Sequence, residues 1–118
     1  MTYVDGFLIA VPKRKLAAYR RMARACGKIW REHGALEFRE CAGDDLTPKM
    51  GAPFGRALRL KRGETAVFSW IAFKSRKDRD RVNAEVMSDK RMAKMLNAAM
   101  PFDVKRMYYG GFDVIVDA

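Results

Sequence analysis

His33 is the only histidine in this sequence of 118 residues, and so the only side chain whose ordinary pKa lies near neutrality. A general base or ligand anchor at that position would have to stand at the mouth of a pocket. A histidine at a helix end would instead interact with the helix dipole. Around it the chain offers aromatic rings of the kind that wall a pocket for a flat molecule: Tyr3, Trp30 and Trp70, with Tyr108 and Tyr109. The same rings also serve as filling for a small core. Arg39 supplies a cation beside them. Tyr3, Trp30, His33, Arg39 and Trp70 are therefore the candidate small-molecule site, with His33 the one candidate catalytic group.

Other chemistry is poorly supported. Asp44 and Asp45 are adjacent, and neighbouring side chains on an extended chain point to opposite sides. Turn formation explains them, and no metal site is expected. Cys26 and Cys41 are not spaced as a CxxC pair, and one histidine completes no zinc pattern. Two thiols without a disulfide framework fit a reducing cytoplasm. Gly110-Gly111 lies inside a strand pattern with no helix after it, so no phosphate-binding loop is present and no cofactor is expected.

Charge gives a second reading. Lysine and arginine number 24 against 14 aspartate and glutamate, a formal net charge of +10. The stretch from Lys13 to Arg31 contains no acid. Lys13, Arg14, Arg20, Arg21, Arg24, Lys28 and Arg31 form a basic face able to meet phosphates or other anions. RNA bound there would be held electrostatically, weakly and with strong salt dependence. The aromatic pattern of an RNA-recognition sheet is absent. A plain solvated helix face would look the same. No run reaches the ~20 apolar residues of a membrane span, so no membrane partner is expected.

The elements that position these residues follow from periodicity. Residues 2–11 are β-rich and stop at Pro12. Over 13–33, Leu16, Tyr19, Ala23, Cys26, Trp30 and His33 recur at three- and four-residue steps, which predicts an amphipathic helix ending at Gly34. Residues 35–43 alternate in part, as a half-wet strand does. Residues 44–63 form a long irregular connection, with Ala57-Leu58-Arg59-Leu60 as a short strand or turn within it. Residues 64–74 are the most apolar strand. Ser75, with Asp78 three residues on, opens a second helix. Ser88-Asp89 offers another cap, from which Met92, Met95, Leu96 and Ala99 continue as another short amphipathic helix ended by Pro101. Lys90 after Asp89 softens that break and favours one continuous bent helix instead. Residues 104–116 read as a last strand, with Gly110-Gly111 a bulge or a close backbone approach.

The order strand, helix, strand, strand, helix, strand is an α+β, ferredoxin-like βαββαβ arrangement with an antiparallel sheet, in one domain spanning 1–118. Helices on one sheet face leave the other bare. Either Ala66, Phe68, Trp70 and Ala72 or the opposite set Val67, Ile71 and Phe73 then needs cover. A second copy of the chain would supply it.

Several strings together carry a family resemblance. They are Tyr3-Val-Asp-Gly-Phe7, Trp30-Arg-Glu-His-Gly-Ala-Leu-Glu37, Glu40-Cys-Ala-Gly-Asp-Asp45, Phe68-Ser-Trp70 and Met100-Pro-Phe-Asp103, followed by Arg106-Met-Tyr-Tyr-Gly-Gly-Phe112. The sequence resembles the YbaA-like family of uncharacterised bacterial proteins over almost its whole length. That resemblance implies a dimeric α/β-barrel built from ferredoxin-like units. The expectation is a cytoplasmic homodimer that binds a small molecule between helices and sheet, with the 44–63 connection on the rim. The alternatives are an electrostatic RNA- or anion-binding module and, by analogy of fold, an enzyme resembling cofactor-independent monooxygenases.

Overall fold

The computed structural model describes residues 2–118. Four strands form one antiparallel sheet: β1 (Tyr3–Pro12), β2 (Glu37–Ala42), β3 (Glu64–Phe73) and β4 (Tyr108–Asp113), in the order β2-β3-β1-β4. The helices are α1 (Leu16–Glu32), α2 (Phe54–Leu58), α3 (Arg76–Met87) and α4 (Lys90–Leu96). The antiparallel ferredoxin-like expectation holds.

β1 and β3 pair along their full length, from Tyr3 opposite Phe73 to Pro12 opposite Glu64. Side chains alternate across a strand. Tyr3, Asp5, Phe7, Ile9 and Val11 therefore share one face with Val67, Ser69, Ile71 and Phe73. α1, α3 and α4 cover that face. One core cluster joins Ile29, Ile71, Phe73, Val82, Val86 and Met92, and a second joins Ile9, Val11, Tyr19, Ala23 and Val67. The choice left open by the sequence is thus decided. Ala66, Phe68, Trp70 and Ala72 stand on the bare face.

The bare face has its own layout. Gly6 pairs with Trp70 on one side and with Gly110 on the other. Phe112 lies across this glycine pair, close to where a Cβ of Gly6 would be. Phe68, Tyr108 and Phe112 are 46%, 59% and 60% exposed. With Val4, Leu8, Phe54 and Trp70 they line an apolar concavity of about 660 Å³. The molecule measures 38 × 37 × 20 Å. Its thin dimension is that of one sheet and one helix layer; on the far side the short α2 brings Phe54 against Phe68, with ring centroids 6.3 Å apart.

Local signals act as read, with three exceptions. Ser75 caps α3, its hydroxyl accepting from the Asp78 backbone N–H at 3.1 Å. Gly34, at φ +117°, ends α1, and the Ala35 N–H bonds back to the Trp30 carbonyl at 3.0 Å. The first exception is Ala57–Leu60. It is no strand, because residues 54–58 form α2, closed by Arg59 at φ 52°. Arg106 holds that turn by donating to the Leu58 and Arg59 carbonyls at 3.1 and 3.0 Å and to Glu64 at 2.6 Å. The second is the helix break, where the separate short helix from the Ser88-Asp89 cap forms rather than one bent helix. α3 and α4 are separate, because Asp89 leaves the helical conformation and caps α4 through the Arg91 N–H at 2.9 Å. The third is β4, which begins at Tyr108 after a 3-10 turn over Val104–Arg106 and pairs with β1 without a bulge. Gly110-Gly111 is instead a close approach. A Cβ on Gly111 would fall 2.2 Å from the Tyr3 hydroxyl.

Candidate functional site

The helix-covered face encloses a cleft of about 130 Å³ between α1 and the sheet. α1 contributes Tyr19, Met22, Ala23, Cys26 and Trp30. β2 contributes Phe38 and Glu40, and β3 contributes Ser69, Trp70 and Ile71. Phe102 and Met107 close one end. Trp30 and Phe38 meet with ring centroids 6.1 Å apart, and Tyr19 meets Phe102 at 5.6 Å.

One polar pair stands in these apolar walls. The hydroxyl of the buried Tyr19 donates to Glu40 Oε1 at 2.7 Å. Glu40 belongs to the outer edge strand and is exposed as a residue, while its Oε1 lies against the buried Tyr19 hydroxyl at the border of the cleft. Burial raises the Glu40 pKa above the ordinary carboxylate value, against the lowering effect of hydrogen bonds from Tyr19 and Ser69. Burial raises the Tyr19 hydroxyl as well, with the Glu40 charge adding to it. The Cys26 thiol is also pushed up by burial. That suits an inert thiol rather than a nucleophile.

The candidate residues separate. Trp30 and Trp70 border the cleft. Trp30 is fixed by donating its Nε1 hydrogen to Asn83 Oδ1 at 3.1 Å. Trp70 also borders the bare face and donates to Glu37 at 3.1 Å. Tyr3, His33 and Arg39 do not line the cleft. Tyr3 is buried near α3, its hydroxyl accepting from Arg79 at 3.3 Å. Arg79 also pairs with the buried Asp5 at 3.3 Å, whose pKa burial raises. His33 caps α1, with Nε2 2.9 Å from Asp89 and Nδ1 3.5 Å from Glu85. Its pKa is raised, chiefly by the hydrogen bond with Asp89. This is the helix-end role. Arg39 pairs opposite Trp70 and is exposed. No residue of 44–63 borders the cleft, and Phe54 reaches the bare face instead.

The basic residues also divide. All are exposed. Arg20, Arg24, Lys28 and Arg31 follow one another at three- and four-residue steps along α1. They line a groove of about 460 Å³ beside β2, floored by Gly27 and Phe38. A Cβ on Gly27 would fall 2.7 Å from the Phe38 ring, so glycine is what lets the helix approach the strand. Arg31 donates to the Leu36 carbonyl. Arg21 lies on the other flank of α1, while Lys13 and Arg14 sit in the 3-10 turn Lys13–Lys15 before it.

Sequence reasoning missed Tyr19, Glu40 and Ser69 as site residues. The signals were spacing signals. Tyr19 lies on the apolar stripe of α1, and Glu40 stands two residues from Phe38, on the same strand face.

The family described as "Protein of unknown function (DUF1428)" matches residues 2–104. The chain belongs to this family. The Escherichia coli (strain K12) DUF1428 relative, the uncharacterized protein YbaA, is 45% identical over 117 residues, covering 99% of each chain. Among solved structures, a Nitrosomonas europaea protein described as a candidate antibiotic biosynthesis monooxygenase superposes with TM-score 0.64 at 14% identity. It covers 97% of this chain and 90% of its own. A dimeric ferredoxin-like protein from an uncultured marine organism superposes with TM-score 0.56 at 12% identity, over 100% of both chains. At such identities these two likenesses establish the DUF1428 fold alone. Among the described residues no helix is long and apolar enough to cross a membrane.

Proposed function

We propose that the protein is a homodimer that binds a small molecule in the cleft between α1 and the sheet. The Tyr19–Glu40 pair carries this reading. A carboxyl with a raised pKa, set among aromatic walls in a hollow, is the arrangement expected where a ligand is oriented or a proton is moved. The bare sheet face supports the dimer. Strands of these lengths present about 500 Å² in plan per protomer, and aromatic relief raises the true area toward the ~800 Å² per partner of a specific interface. The dimeric ferredoxin-like neighbour is consistent with this packing. The two free thiols, Cys26 half-buried and Cys41 exposed, suit a reducing cytoplasm.

The test is native mass spectrometry of protein purified gently from bacterial cells, beside the cleft-filling variant Ala23→Leu. The expected wild-type mass is two chains plus a discrete adduct of single-ring size. Ala23→Leu, folded by circular dichroism, should keep the dimer and lose the adduct. An adduct that persists on Ala23→Leu would place the ligand elsewhere.

A further inference from the structure

We propose that the cleft takes a single-ring keto acid and that Glu40 exchanges a proton with a carbon beside its carbonyl. This rests on the reading that the cleft binds a small molecule.

Size limits the ring count. A dry apolar cavity of about 150 Å³ holds one benzene, and the cleft measures about 130 Å³. Its walls, Trp30, Phe38 and Tyr19, suit the faces of one ring. Charge sets the substituent. The groove lined by Arg20, Arg24 and Lys28 adjoins the cleft, the two sharing Ala23, Phe38 and Glu40. Arg20 also lines a third hollow with Tyr19 and Glu40. Cations at the mouth of an apolar slot favour a ligand whose ring goes in and whose carboxylate stays out.

Glu40 supplies the chemistry. Tyr19 holds Oε1 and thereby orients the carboxyl. The groups that hydrogen-bond this carboxyl are the Tyr19 and Ser69 hydroxyls, with no cation among them. A carboxylate so held is a stronger base than one paired to arginine. In the step, the substrate C–H bond breaks and an O–H bond forms on Glu40. The released electron pair forms a carbon–carbon double bond as the carbonyl becomes an enolate oxygen. Ser69, buried on the same wall, donates to the Glu40 carboxylate in the free protein; once Glu40 takes the proton, that hydroxyl is released to donate to the enolate oxygen. Return of the proton to the same or another carbon regenerates Glu40. Atoms and electrons balance without any co-reactant.

The probe is 3-oxocyclohexane-1-carboxylate in D2O, followed by proton NMR with cyclohexanone alongside. Protein-dependent loss of the signal at the carbon between the two functional groups is expected, faster than exchange of cyclohexanone. Glu40→Gln should slow it by about 100-fold or more, the usual size of a general-base contribution. Arg20→Ala with Arg24→Ala should erase the preference for the carboxylate. If Glu40→Gln does not fold, Tyr19→Phe decides. Losing the Tyr19 hydrogen bond should move the midpoint of the pH–rate profile upward, which a merely structural role would not do. Exchange at the buffer rate with the probe bound overturns the proton-transfer role and leaves the binding reading standing. Neither binding nor exchange overturns the keto-acid class, while occupancy of the cleft still rests on the native mass. Undiminished exchange in Glu40→Gln overturns the assignment to Glu40.

Discussion

His33 and Glu40 show how surroundings, rather than residue type, assign a role. His33 has the favourable pKa, yet its ring is held between Asp89 and Glu85, outside the cleft. Asp89 lies well below the ordinary carboxylate range, held down first by Arg91 and then by His33, and Glu85 is lowered chiefly by Arg81. Both stay ionised through neutrality. The folded His33 pKa is raised above the ordinary 6.5, so its contribution to stability is complete below that value and fades as pH rises through the folded one. The gap in melting temperature between wild type and His33→Gln should therefore be wider at about pH 5.5 than at about pH 9. A gap that widens toward high pH would contradict the ion-pair assignment. Glu40 follows the opposite logic. A carboxyl raised by burial is more easily accommodated when neutral, so stability falls as pH rises through its folded pKa. Glu40→Gln should melt higher than wild type in mildly alkaline buffer, as differential scanning calorimetry would show. The sequence put Trp30 in the cleft because helix spacing is short-range information. It did not reveal Glu40, because the burial of an edge-strand carboxyl depends on α1 lying 21 residues away in the chain.

Among the elements, capping and close approach decide more than propensity. Removing the α3 cap with Ser75→Ala should cost about 1 kcal/mol, readable as a lower midpoint in urea at unchanged slope. β4 offers a sharper contrast. Gly111→Ala would drive a Cβ into the buried Tyr3 and should cost about 1–3 kcal/mol. Gly110→Ala meets only the Phe112 ring at 3.7 Å and should be far milder. Equal effects in the two variants would sink the close-approach account. Strand periodicity and the Ser75 cap were legible because both are local. The α3–α4 break is ambiguous in the sequence because Lys90 promotes helix, whereas the Asp89 cap outweighs it by satisfying the Arg91 N–H. The helix ending at Leu58 is not legible within Ala57–Leu60 because α2 depends on Arg106, nearly fifty residues on, to hold its C-terminal carbonyls.

The whole molecule is a slab with one finished face and one unfinished one. The order of elements implies that one sheet face is bare. The identity of that face had to come from packing, since both sides of β3 are apolar. A charge introduced at its centre should therefore divide the proposed dimer without unfolding the protomer. Phe68→Glu with Phe112→Glu is expected to sediment as one chain and keep its far-ultraviolet circular dichroism. A dimer surviving both changes would move the interface elsewhere. The cleft lies on the opposite face, so monomeric protein should still bind 3-oxocyclohexane-1-carboxylate.

The central claim is that the ligand sits on the helix side of the sheet. The direct measurement is an intermolecular NOE experiment between 3-oxocyclohexane-1-carboxylate and methyl-labelled protein. The account predicts contacts from the probe ring to the methyl groups of Met22, Met107 and Ile71, which border the cleft. Contacts confined to Val4 and Leu8, on the bare face, would contradict it.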